Sequence, residues 1–277
     1  MVFARNNNAD KGGTRSSGKP FDNDEVEEVE TTDDEATETD ETDASTDPST
    51  DADTDDSAVD DDAEWAELDT SKDWREEGPF DIDEVDLDDD EVQRLDFGAL
   101  IITPIPECNL QLQKASEEAE EILSAVMMVP DLESALEISA FAAPRSPGMW
   151  SEIRQQIIAQ TAQAGGSTER VAGPFGTELK KQDIVELPSG ERAIQPSRTW
   201  VAEGPRWLLR GVLYGKAAMT DEFDDDVVGP FYDAFRDVIV RRGSEAKPVG
   251  DLLTLTLPEE LVAVTQEAAS EDQNQAE

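Results

Sequence analysis

The chain has 277 residues, and its 67 Asp and Glu outnumber its 22 Lys and Arg to give a formal net charge of -45. It contains no histidine and one cysteine, Cys108, which excludes histidine catalysis, histidine metal ligation, a thiol–imidazole pair and an internal disulfide. Like-charge repulsion opposes lasting contact of so acidic a chain with nucleic-acid phosphates or anionic lipid.

The N-terminal region carries most of this charge. Residues 1–97 hold 37 Asp and Glu against 7 Lys and Arg, with few apolar residues. Such a segment cannot bury enough apolar surface to offset its ordering entropy, so we predict disorder over residues 1–77. Two tryptophans, Trp65 and Trp74, interrupt the acidic run. They are either docking points for a partner, or Trp74 and Phe80 pack against the edge of the domain.

Residues 78–258 are predicted to form one domain, followed by a second disordered tail over residues 259–277. Leu95 and Phe97 begin the predicted core. Three short apolar or alternating runs come next, spaced about twelve residues apart, which predicts an antiparallel meander. The runs cover 110–114, 122–129 and 135–143.

Two segments have helical spacing. The first places its apolar residues on one helix face and is predicted to begin after an N-cap at Ser146 and to stop at Gly165. Its face is formed by Trp150, Ile153, Ile157, Thr161 and Ala164. The second is predicted from about Asp224 to Arg236, although Pro230 favours a start one turn later. The β-branched residues 238–240 follow, either as a strand or as the last turn of that helix.

Three further strands are predicted between the helices, at 177–187, 192–201 and 207–218, joined by two hairpin turns. Both faces of the third strand are partly apolar, which indicates a central strand, and its glycines would let a helix lie close against it. The predicted class is α+β, with a mostly antiparallel sheet packed against two amphipathic helices.

No catalytic residue, cofactor site or metal site is predicted. The chain lacks the GxSxG, GxxxxGK[ST] and GxGxxG patterns, so nucleophile-elbow, P-loop and dinucleotide signatures are absent. No stretch reaches the roughly 18 apolar residues of a membrane span, and the start lacks the apolar run of a signal peptide, which predicts a cytoplasmic protein.

The arginines of the domain are the candidate ligand-binding or partner-binding residues. Arg145 lies just before the first helix, whereas Arg198, Arg206 and Arg210 lie on or near two adjacent strands, close to Trp207. If the last three arginines share a sheet face, they would bind an anionic ligand or the acidic tail through bidentate contacts. The alternative is that they form ordinary surface salt bridges.

Five motifs in this order and spacing resemble an actinobacterial family known as domain of unknown function 3710. They are GPFD (78–81), AFAAPRSPGMWSEIR (140–154), GPFGTEL (173–179), GPRWLLRGVLYGKAA (204–218) and FRDVIVRRG (235–243). The resemblance covers about residues 78–258 and implies no established activity, cofactor or catalytic residue. The element order is also similar to the PsbP-like arrangement, an analogy that concerns fold alone.

The sequence therefore favours a cytoplasmic, non-enzymatic interaction protein with an acidic tail. Its predicted partner is a protein of unknown identity, and a basic one is electrostatically favoured. The alternative is a nucleotide- or nucleic-acid-related phosphate-binding protein or hydrolase, which the resemblance supports because genes of the family often lie near that for dUTPase.

Overall fold

The computed structural model describes residues 56–87, 92–116, 119–220 and 223–257. The predicted tail at 259–277 and residues 1–55 of the predicted N-terminal tail lie outside them. Within the described parts the chain is α+β, as predicted. The strands are β1 (Phe80–Asp81), β2 (Leu95–Asp96), β3 (Leu100–Ile102), β4 (Asn109–Lys114), β5 (Ile122–Val129), β6 (Ser134–Ala142), β7 (Ser167–Gly173), β8 (Gly176–Glu186), β9 (Arg192–Gly204), β10 (Trp207–Gly215) and β11 (Ile239–Val240).

The larger sheet is antiparallel throughout and has the order β4-β5-β6-β10-β9-β8-β7. The predicted meander is confirmed as β4, β5 and β6. The predicted central strand is β10, fourth of the seven. Strand β7 was not predicted, because it is a half-exposed edge strand whose mixed residues show no clear alternation of polar and apolar side chains.

The smaller sheet has the order β1-β11-β3-β2, and its β1–β11 pair is parallel. The main apolar core lies between this sheet, one face of the larger sheet and a helix. The predicted core residue Phe97 is fully buried, while Leu95 packs on the core from its edge. Its largest fully buried members include Phe97, Leu100, Ile102, Trp200, Trp207, Phe231 and Phe235.

The helices are α1 (Asp56–Thr70), α2 (Met149–Gln163), α3 (Lys216–Met219) and α4 (Gly229–Arg236). Helix α4 packs against β10 at Gly211, where an added Cβ would lie 2.7 Å from the Phe235 ring. This confirms that a glycine of the central strand admits the helix. The second predicted helix starts at Gly229 and not at Asp224, because Pro230 occupies its first turn.

Helix α2 begins later than predicted, and Ser146 is not its N-cap. Gly148 takes that position with a φ of 116°, and the cap comes from a distant strand. The Glu203 carboxylate of β9 accepts from the backbone N–H of Gly148 (2.7 Å) and of Trp150 (2.5 Å). A carboxylate at this end also complements the helix dipole, so it replaces the local serine.

Residues 62–77, within the range 1–77 for which the sequence predicts disorder, contribute to helix α1 and the turn after it, because polar side chains such as Asp62 and Asp69 contact the domain. Helix α1 is followed by a turn in which the indole N–H of Trp74 donates to the Leu68 carbonyl (3.0 Å). Trp74 is half-buried, and Phe80 forms β1 in the smaller sheet. Of the two readings of these aromatic residues, packing on the domain is the one that the structure supports.

Candidate functional site

The structure separates three of the candidate arginines. Arg198 lies on the face of β9 that joins the main core, next to Trp200. Arg210 points from β10 to the opposite face, where its guanidinium lies 5.1 Å from the centre of the Phe141 ring. Arg206 is in the turn between these strands. The three residues therefore do not share a sheet face.

Arg198 is a core residue with a buried partner. Its Nε contacts Oε1 of Glu178 at 2.5 Å, and its Nη1 donates to the hydroxyl of Thr220 at 3.0 Å. Glu178 also accepts from the indole N–H of Trp200 (2.7 Å). Glu178 and Arg198 are 1% and 4% exposed, so the donors of this guanidinium are taken up within the fold.

Trp207 is also a core residue. It is fully buried, and its indole N–H donates to Oδ2 of Asp81 at 2.7 Å. This hydrogen bond joins the two sheets, since Trp207 begins β10 and Asp81 ends β1. The ring itself is therefore closed to a ligand.

Arg145 and Arg206 do come together, at one cavity of about 730 Å³ that also includes Arg241 and Arg242. We call it the arginine cavity. Its lining residues are Asp81, Ile82, Asp83, Glu84, Arg145, Pro205, Arg206, Arg241, Arg242, Gly243 and Ser244.

Strand pairing explains why four separate segments meet here. Strands β6 and β10 are antiparallel, with Ala142 opposite Trp207, and the Ala143 N–H donates to the Arg206 carbonyl (2.9 Å). The loop that follows β6 therefore lies beside the β9–β10 turn. Strands β1 and β11 are parallel, so the chain leaves both at the same edge. The Trp207–Asp81 hydrogen bond brings the two edges together.

The four arginines of the cavity differ in their partners. Arg241 forms a bidentate pair with Asp96 at 2.9 and 3.0 Å. In contrast, Arg206 donates to the Gly243 carbonyl (3.3 Å) and Arg242 to the Glu245 carbonyl (3.0 Å). Among the residues that the structure describes, Arg145, Arg206 and Arg242 have no ion pair with a carboxylate, and the Nε of Arg242 is buried without a hydrogen bond.

Arg206 has an unfavourable backbone conformation. Its φ is 63°, in the left-handed region that glycine and asparagine adopt most readily and that costs other residues about 1–2 kcal/mol. The side chain is exposed and makes one long hydrogen bond. Arginine at this position is therefore not explained by the turn itself, and strain of this kind is concentrated at functional sites.

The lining of the cavity also includes acidic residues, among them Asp83 and Glu84. Glu84 pairs with Arg75 through two contacts of 2.9 and 3.0 Å, and its carboxylate also accepts from the Asp81 N–H (2.7 Å). The hydrogen bond from Arg75 is the main reason that the pKa of Glu84 lies below its ordinary value. Asp83 is exposed beside it. The cavity is thus lined by both guanidinium and carboxylate groups.

Replacing Glu84 with glutamine is expected to destabilise the protein at neutral pH and to have less effect in acid. Because the folded-state pKa of Glu84 is lowered from 4.5, its ionised form stabilises the fold above pH 4.5, and this stabilisation is lost as the pH falls through the lower folded value. Urea unfolding of the wild type and E84Q between pH 7 and pH 3 measures the difference. E76Q, which neutralises an exposed carboxylate of the same segment, is the control. A difference that is independent of pH would contradict the prediction.

Two of the cavity arginines, Arg241 and Arg242, were missed from sequence. The signal was present, as two adjacent basic residues directly after the β-branched run in FRDVIVRRG. Their proximity to Arg145 and Arg206 depends on the parallel β1–β11 pair, which no local pattern indicates.

Within the described parts of the chain, no group of three or more acidic or sulfur side chains is placed to hold a metal ion.

The fold and the cavity define an α+β protein with an arginine-lined pocket at the shared edge of two sheets. A family model described as "Protein of unknown function (DUF3710)" matches residues 78–264, and the chain belongs to this family. Searches of curated proteins and of solved structures gave no match. Among the described helices, none has the length and apolar character needed to cross a membrane.

Proposed function

We propose that this is a cytoplasmic, non-enzymatic binding protein that recognises a phosphate-bearing ligand in the arginine cavity. The observation that carries the proposal is the meeting of Arg145, Arg206 and Arg242 at one cavity without carboxylate partners among the described residues. Because the chain has a net charge of -45, we interpret a cationic surface of this kind as a binding site for an anion.

Guanidinium groups suit phosphate because their planar N–H donors match its oxygen atoms in bidentate geometry. Three such groups from three different segments would surround an anion from several sides. The buried Nε of Arg242 and the left-handed backbone of Arg206 both support a ligand here.

The carboxylates that line the same cavity narrow the ligand class. Asp83 and Glu84 would repel a second anionic group and would accept hydrogen bonds from hydroxyl or amino groups. We therefore favour a ligand with a phosphate at one end and hydrogen-bond donors at the other. Nucleotides and phosphoserine peptides both have this chemistry, and the experiment below distinguishes them.

The acidic N-terminal region gives the second part of the proposal. Its charge favours a basic protein partner. The protein would then link a phosphorylated ligand to a protein interaction.

Titration calorimetry on the full-length protein tests the proposal with pyrophosphate, a mononucleotide and a phosphoserine peptide as ligands. Charge-assisted hydrogen bonds contribute about 1.5–3 kcal/mol, so R145Q, R242Q and R206G should each weaken binding by about 10- to 100-fold. R206G removes a guanidinium while it relieves the left-handed strain, so its stability should stay within about 1 kcal/mol of the wild type.

The matched control is R192Q. Arg192 is exposed and begins β9, whereas the cavity lies beyond the other end of this strand at Gly204. R192Q should bind every probe as the wild type does. Failure of all three probes to bind the wild type, or equal weakening by R192Q and the cavity variants, would overturn the proposal.

A further inference from the structure

Helix α1 lies outside the segment that matches the family model, residues 78–264, and yet the domain has a specific binding site for it, which we call its seat. Two of its carboxylates, Asp62 and Asp69, contact Arg154 of α2. Arg154 is fully buried, although a charged side chain is rarely buried without a partner. The domain therefore places a cation, which is fully buried with α1 in place, where an acidic segment from outside the domain can bind.

Arg154 is positioned between the two carboxylates. Its Nη1 lies 2.6 Å from Oδ2 of Asp69 and its Nη2 lies 3.5 Å from Oδ1 of Asp62, while the guanidinium carbon lies 5.6 Å from the centre of the Trp150 ring. Its Nε has no hydrogen-bond acceptor among the described residues. The site thus retains donor capacity while α1 is bound.

Other groups of the domain complete a seat for each carboxylate. Asp62 accepts from the Ser151 hydroxyl (3.1 Å) and the Gln155 amide (2.5 Å). Asp69 accepts from the Thr177 N–H (2.7 Å), and a Cβ on the neighbouring Gly176 would lie 2.9 Å from the same Asp69 oxygen. A side chain at this glycine would therefore crowd the incoming carboxylate.

The two carboxylate-binding positions select for a particular spacing of acidic residues along a helix. Asp62 and Asp69 are seven residues apart, which is about two helical turns, so both carboxylates lie on one face of a helix. The hydroxyl of Thr177 also donates to the Trp65 carbonyl between them (3.2 Å). No described residue of α1 belongs to either buried apolar cluster, so polar contacts hold the helix in place.

The contacts of Asp62 favour its ionised carboxylate. Burial raises the pKa of Asp62, but its hydrogen bonds with Gln155 and Ser151 and the charges of Arg154 and Arg170 outweigh burial, so this pKa lies below its ordinary value. Interactions of this kind are weakened by salt. A helix of fifteen residues is also marginal in water by itself, so α1 would lose its helical structure on leaving the seat.

We propose that the groove formed by Ser151, Arg154, Gln155, Arg170 and Thr177 is a binding site for acidic helices. Helix α1 occupies it within the chain. An acidic helix of a partner protein, with two carboxylates two turns apart, occupies it when α1 leaves. This site is separate from the arginine cavity, and its occupation by a partner would expose the acidic residues of α1.

The test uses the full-length protein and, as probe, a fluorescent peptide of residues 56–77. The variant D62N/D69N weakens the internal contact, so it should bind the peptide about tenfold more tightly than the wild type does, because more of the grooves are vacant. E64Q/E67Q makes the same charge change at two exposed positions of α1 and should bind as the wild type does. Adding R154M to D62N/D69N should abolish binding.

Two further measurements distinguish effects of the substitutions on folding from their effects on peptide binding. Thermal unfolding checks that each variant is folded, and amide exchange in the wild type should show faster exchange in α1 than in β9 and β10. A peptide of the same composition in scrambled order should not bind. The proposal is overturned by tight binding of the scrambled peptide, by equal affinities of D62N/D69N and E64Q/E67Q, or by protection of α1 as strong as that of the central strands.

Discussion

Replacing Glu178 with glutamine is expected to lower the free energy of unfolding by about 3–5 kcal/mol, the usual cost of removing one partner of a buried ion pair. The substitution keeps the shape of the side chain, so packing is little changed. It leaves the Arg198 guanidinium buried without a counter-charge, and it turns an amide NH2 group towards the N–H donors of Arg198 and Trp200. Urea unfolding at pH 7 measures the effect.

Two control variants test whether the lost stability comes from the buried ion pair. K216Q removes an exposed ion pair, in which Lys216 and Glu133 are 57% and 58% exposed, and should cost at most about 1 kcal/mol. The double variant E178L/R198M removes both buried charges and should be more stable than E178Q. If E178Q unfolds at the same urea concentration as K216Q, the pair does not stabilise the core as described.

Replacing Trp207 with alanine is expected to cost about 3–5 kcal/mol, as large-to-small changes in a tightly packed core do. The ring is fully buried and lies against Gly204, where an added Cβ would be 2.1 Å from its nearest atoms. The neighbouring structure therefore cannot simply fill the space that the Trp207 ring leaves. Thermal and urea unfolding both report the loss.

A second substitution separates packing from hydrogen bonding at this position. W207F retains an aromatic ring but leaves the Asp81 carboxylate, which is 6% exposed, without its indole donor, for an expected cost of about 1–3 kcal/mol. F223A removes an aromatic ring that is 42% exposed and should cost less than W207A. Equal losses for F223A and W207A would contradict the core role of Trp207.

These two predictions also distinguish stability from binding. Arg198 and Trp207 were candidate ligand residues from sequence, and the structure places both in the core. E178Q should therefore leave the phosphate affinity of the folded protein unchanged, although it lowers stability. In contrast, R206G should weaken phosphate binding and leave stability nearly unchanged, since Arg206 is exposed in a turn.

The two proposed sites share a physical principle. In each, arginine side chains of the domain face acidic groups, in one case the carboxylates of α1 and in the other the anion of a ligand. Because the contacts at both sites are between charged groups, binding at both should be sensitive to salt.

Much of the fold was predictable from the sequence because its signals are local. The alternating and β-branched runs predicted β4, β5 and β6 nearly to their ends, since side-chain alternation follows directly from strand geometry. The apolar spacing from Trp150 onward predicted α2 for the same reason. The proline in the first turn of α4 indicated its later start.

The sites were not predictable, because they depend on residues far apart in the chain. Helix α1 has too few apolar residues to be predicted as ordered, and it is held by Arg154, 85 residues away from Asp69. Arg145 and Arg206 meet because β6 pairs with β10, and Arg242 joins them through the parallel β1–β11 pair. Composition and periodicity determined the acidic region and the class of fold, whereas tertiary contacts, namely strand pairing and the packing of α1 on the domain, decided which charges meet.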